Sequence, residues 1–124
     1  TLMGGHAMRA ADQPVPLLNG VQAIALPEYA TLPAAQPTAQ AMRASGIEPD
    51  GYILPAAAAA QIASQAAESA KSENKPIADK LVATTFQTAI GPITFGKNHE
   101  LTENPYRLLE WRDNAFVPAA AASN

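Results

Sequence analysis

Cysteine is absent from the chain, which removes disulfides, thiolate chemistry and the usual structural zinc sites. Charge is scarce as well: Asp, Glu, Lys and Arg make up 15% of the 124 residues and the net charge is −3. No basic patch is available to neutralise phosphates, so nucleic acid is not an expected partner. Large aromatic side chains are few, with three Phe, three Tyr and one Trp. Hydrophobic residues reach 48%, but much of that share is alanine, which buries little area per residue. A thin core is therefore expected, in one domain at most. No apolar run reaches the length of about 18 residues that a transmembrane helix needs. The chain opens on Thr1 without an initiator Met or a signal peptide, and is read as processed, truncated or excised from something longer.

Catalytic equipment is equally sparse. His6 and His99 lie far apart, and neither has a second ligand at metal-binding spacing. His99 sits in Lys97-Asn-His-Glu100, which reads as a solvated turn. Glu100 and Glu103 read as surface charge beside that turn, not as paired carboxylates for acid–base work. Ser45, Ser64 and Ser69 lack the setting of a nucleophile elbow. Gly4-Gly5 lacks the further glycine, the lysine and the following helix of a phosphate loop. Trp111, Phe116 and Tyr106 either anchor the last strands or line an aromatic cage, with anchoring the simpler reading on a thin core. No enzyme, cofactor or metal is expected.

What is present is an alternation of short strands and helices. Residues 1–9 read as a strand end running into a Gly-Gly turn. Asp12-Gln-Pro-Val-Pro16 is irregular, because two prolines in three residues forbid a helix interior. Gly20 to Leu26 alternates as a strand and is stopped by Pro27. Residues 33–45, with Pro33 and Pro37 at the start and Gly46 past the end, predict a helix. After the Glu48-Pro-Asp-Gly51 turn, the alanine-rich stretch predicts a long helix over 53–71. Lys71 to Lys75 reads as a solvated connector, with Asn74 in the N-cap region and Pro76 near the first position of a helix over 77–84. That helix carries Ile77, Leu81 and Val82 on one side. Strands are predicted at 90–95, 106–111 and 115–117, and the tail from Pro118 to Asn124 reads as low-complexity and frayed. The class is α/β or α+β, without one self-sufficient sheet.

The phrase Phe86-Gln-Thr-Ala-Ile-Gly-Pro-Ile-Thr-Phe95, followed by a polar turn and Tyr106-Arg-Leu-Leu-Glu-Trp111, resembles the closing segment of the type I periplasmic solute-binding proteins, the branched-chain amino-acid-binding family. Earlier stretches follow the same family order. Thr1-Leu-Met-Gly-Gly-His-Ala-Met8 resembles its strand-to-loop segment, in which an acidic residue and a glycine reach the ligand. Gly20-Val-Gln-Ala-Ile-Ala-Leu-Pro27 resembles the strand leading to a crossover between lobes. Ala34 to Pro49 resembles the next helix, and Gly51-Tyr-Ile-Leu-Pro-Ala-Ala-Ala-Ala-Ala-Gln61 the opening of the helix after it.

The resemblance implies a partial periplasmic-binding-protein-like type I fold, an incomplete two-lobe arrangement of Rossmann-like α/β layers. Residues 1–27 and 105–124 would belong to the second lobe and residues 28–104 to the first. The implied role is non-catalytic solute binding in the periplasm, as part of the receptor that serves the membrane permease of an ABC importer. His6, Ala7 and Ala57 fall on ligand-binding positions and Pro27 on a hinge. His6 stands where the family has Asp or Glu, Ala7 where it has glycine, and Ala57 where it has a tyrosine that closes over the ligand. A neutral imidazole supplies no fixed negative charge for an ammonium group. The three departures favour a carboxylate or aromatic acid over a standard amino acid, although an amino-acid-like solute stays open. In the family, closure of both lobes traps the solute, and this chain covers only part of that architecture. The alternative is a stand-alone structural or interaction module that self-associates and has lost solute binding.

Overall fold

The computed structural model describes residues 2–9, 16–82 and 84–119, and it is a mixed α/β protein. The chain divides into two compact units: Thr1–Pro27 with Pro105–Asn124, and Glu28–Asn104. The expectations for 12–15, for the end of the tail at 120–124 and for Ala83 lie outside the described residues.

The first unit is a four-stranded sheet of β1 (Met3–Gly4), β2 (Gln22–Ala25), β5 (Arg107–Arg112) and β6 (Ala115–Pro118), in that spatial order. β1 and β2 run parallel, while β2–β5 and β5–β6 are antiparallel. Alternation decides the faces. Ala23 and Leu109 are paired neighbours and both buried, whereas the next pair, Ile24 and Leu108, is exposed. The β5–β6 hairpin turns on Asp113 and Asn114, whose φ values of 52° and 65° are the left-handed conformations that a tight two-residue hairpin requires. Asn19 braces this turn, its Oδ1 accepting the Asp113 amide at 3.1 Å. Trp111 and Phe116 face each other across the hairpin, edge to face with centroids 5.0 Å apart. They are strand anchors, as the simpler reading expects. Tyr106 precedes β5 and is largely exposed.

The second unit holds the helices. Two 3-10 turns, Tyr29–Thr31 and Pro33–Ala35, lead into α1 (Gln36–Ala44). The expected helix over 33–45 thus starts late. Pro37 has no N–H to give to the Pro33 carbonyl, so the α-helical ladder cannot begin there. Gly46, at φ 75°, ends α1. Its amide returns to Arg43 O and that of Ile47 to Met42 O, both at 2.9 Å, the paired closure of a Schellman motif.

The long helix α2 spans Ile53–Glu73. Its buried positions Leu54, Ala58, Ala66 and Ala70, with half-buried Ile62 between them, repeat every fourth residue or a multiple of it and form one apolar stripe. Asn74 is not an N-cap: at φ 52°, ψ 47° it closes α2 from the left-handed region. The Lys75 amide bonds to Ala70 O at 3.0 Å and the Asn74 amide to Lys71 O, so Lys71 to Glu73 are helical and the connector shrinks. Asparagine substitutes for glycine here because its short polar side chain tolerates this conformation. The next helix, α3, is shorter than expected (Ile77–Leu81), and Ile77 is half exposed. Its Lys80 is buried instead, with Nζ paired to the Glu73 carboxylate, which also receives Lys75 at 3.3 Å.

β3 (Thr85–Thr88) and β4 (Gly91–Thr94) form an antiparallel hairpin. The expected strand over 90–95 corresponds to β4, and β3 is an addition to the sequence reading. Ala89 and Ile90 make the link, with Gly91 at φ 99° and Thr88 Oγ1 donating to Gly91 O at 2.6 Å. Phe86 points from β3 into the core and is fully buried, edge to face with Phe95 at 6.5 Å. Two glutamines one helical turn apart on α2 hold β3: Gln61 Oε1 accepts the Ala89 amide at 2.7 Å, and Gln65 donates to Gln87 O at 2.9 Å.

Candidate functional site

His6 and Ala7 open a 3-10 turn, His6–Arg9, that follows β1 directly. The turn is held from three directions. The Met8 amide donates to Gly5 O at 3.1 Å. The Met8 side chain lies against Gly4 and occupies the space that a Cβ there would take. The third hold is His6 itself, whose Nδ1 accepts the backbone N–H of Leu26 at 3.3 Å. An imidazole nitrogen that accepts carries no proton, which leaves the ring proton on Nε2. Ala7 is exposed beside it.

Leu26 follows β2 and is buried. Pro27 comes next, is half-buried, and is the last residue of this segment of the first unit. It supplies no N–H to continue a ladder, which suits a strand exit. The structure therefore brings His6, Ala7 and the residue preceding Pro27 together. Ala57 belongs to the second unit, half-buried in the second turn of α2, next to buried Ala58. Exposed Tyr52 and Ile53 start the same helix.

The histidine and carboxylate candidates stay at the surface. His99 adopts φ 64° in an exposed turn. Asn98 donates to the Glu100 carboxylate, and Glu103 is exposed. Among the described residues no group of three or more His, Cys, Asp or Glu is arranged to hold a metal ion, and no helix is long and apolar enough to cross a membrane. Ion pairs shift the ionisation of two side chains. Hydrogen bonds from Lys80 and then Lys75 hold the Glu73 carboxyl below its ordinary value, and the hydrogen bond to Glu110 raises Arg112.

Sequence reasoning missed two members of the His6 neighbourhood, Leu26 and Met8. The Gly4-Gly5 pair was the available signal for Met8, since a glycine before a turn marks a close approach. No protein-family model matches the chain, and no curated protein matches it.

Proposed function

We propose that this chain performs non-catalytic solute binding, as part of a periplasmic substrate-binding receptor that feeds the membrane permease of an ABC importer. The observation that carries the reading is a pair of boundaries. The compact units divide at Pro27/Glu28 and at Asn104/Pro105, and the resemblance puts its crossovers between lobes at the same two places. On this reading the fold is a partial type I periplasmic-binding fold with Rossmann-like layers, each unit is part of one lobe, and Pro27 is a hinge position. The solute is an amino-acid-like compound, a carboxylate or an aromatic acid. His6, Ala7 and Ala57 are the positions that meet it.

Thermal unfolding with a panel of amino acids, carboxylates and aromatic acids tests this. A compound at a hundred times its dissociation constant stabilises the fold by about 2.7 kcal/mol, which raises the midpoint visibly. A cooperative transition that no compound in the panel moves would overturn the reading.

One observation favours a second reading, a self-associating module without a solute. Ile24 and Leu108 are side by side on the first unit's sheet and are 47% and 43% exposed. Sedimentation at increasing concentration separates the two readings. A dimer that Leu108→Lys dissociates, with no response to the solute panel, supports the module.

A further inference from the structure

We propose that His6 is a positioning residue, whose Nδ1 clasps the 3-10 turn to the end of β2 one residue before Pro27. The inference deepens the solute-binding reading, because it gives His6 a task within the same site other than touching the solute. Three observations carry it. The bond spans twenty residues, from the turn to Leu26, so it extends the tie between these two segments beyond their last strand pair, Gly4 and Ala23. It falls on the β1 edge of β2: the Gln22 amide on that edge goes to Leu2 O, but β1 turns away after the Gly4–Ala23 pair, so the Leu26 amide takes its partner from a side chain. Leu26 is buried, and a buried amide must be satisfied within the protein. The imidazole supplies the acceptor that strand pairing does not.

The consequence for the site is directional. With His6 tied by Nδ1, the backbone of Ala7 and Met8 is held against the strand that exits at Pro27, so the shape of the turn and the course of the exit are set together. Asparagine puts an oxygen where the imidazole has Nδ1, and leucine offers similar bulk with no acceptor. The two substitutions therefore separate the hydrogen bond from simple space-filling.

Amide hydrogen exchange of the full chain, resolved by residue, tests the clasp in wild type, His6→Leu and His6→Asn. The Leu26 amide is expected to exchange at least about fivefold faster in His6→Leu, the low end of what a buried donor loses with its acceptor. His6→Asn should restore most of the protection, and the Ala7 and Met8 amide shifts should follow the same order. A His6→Leu chain that fails to fold while His6→Asn folds supports the clasp as well. Equal exchange at Leu26 in all three proteins would overturn it, as would a His6→Asn variant that exchanges as fast as His6→Leu or also fails to fold. The solute panel on wild type keeps the two ideas apart. Exchange in the expected order with no solute response leaves the clasp standing and removes the binding reading, and a solute response with unchanged Leu26 exchange does the reverse.

Discussion

Removing the Gln61 acceptor should release the β3–β4 hairpin. Ala89 is 2% exposed and gives its N–H to Gln61 Oε1 at 2.7 Å, at the turn between the two strands. In Gln61→Ala that amide is left without its partner in a place where water enters poorly. A buried donor deprived of its acceptor costs about 1–3 kcal/mol. At about 2 kcal/mol, a domain of this size loses on the order of 8 °C in midpoint. Gln61→Glu keeps an acceptor oxygen at the same reach and should retain most of the stability. Circular dichroism reads the midpoint, and exchange at the Ala89 amide reads the bond itself, which matters because two units need not unfold in one transition. The reasoning is refuted if Ala89 stays as protected in Gln61→Ala as in wild type, or if Gln61→Glu loses as much as Gln61→Ala.

The remaining expectations concern the same unit. Phe86→Ala removes the largest fully buried side chain and should cost about 3–5 kcal/mol by denaturant titration. Asn74→Val forces a β-branched residue into the left-handed position that ends α2 and should cost about 1–2 kcal/mol, while Asn74→Gly should be neutral or slightly stabilising. Glu73 has its folded-state pKa lowered by Lys80 and Lys75 from the ordinary 4.5. Its contribution is therefore fully present above that value and is lost as pH falls through the folded-state pKa. Midpoints measured from pH 7 downward should fall less steeply below pH ~4.5 for Glu73→Gln than for wild type.

The long helix was legible because its information is local: alanine is the strongest helix former, and one long run supplies all of α2. Its end was not, because Asn74 serves equally well before a helix and after one, and only the bonds back to Ala70 and Lys71 decide between them. β3 escaped for a related reason. Thr85-Phe-Gln-Thr88 is short, and its pairing with β4 depends on a link, Ala89-Ile90, without a turn residue of its own; the glycine comes one position later. The Trp111 and Phe116 pairing was within reach, since Asp113-Asn114 between two apolar runs marks a tight hairpin. His6, Ala7 and Ala57 were singled out by resemblance alone. The tie from His6 to Leu26 was not readable, because a contact across twenty residues leaves no periodic trace.

The first unit is assembled from the two ends of the described chain, with Ala25 paired to Arg107. Closing so large a loop in an otherwise unstructured chain costs on the order of 4 kcal/mol in entropy. The second unit, by contrast, is one continuous stretch whose helices and hairpin form from near neighbours. Once that stretch is folded, the flexible loop between β2 and β5 is effectively shortened, and most of the closure cost falls away. The terminal sheet thus borrows its stability from the segment inserted into it. A lesion in α2 or at Phe86 should therefore unravel Ile24 and Leu108 too, while a lesion in β6 leaves the helices standing.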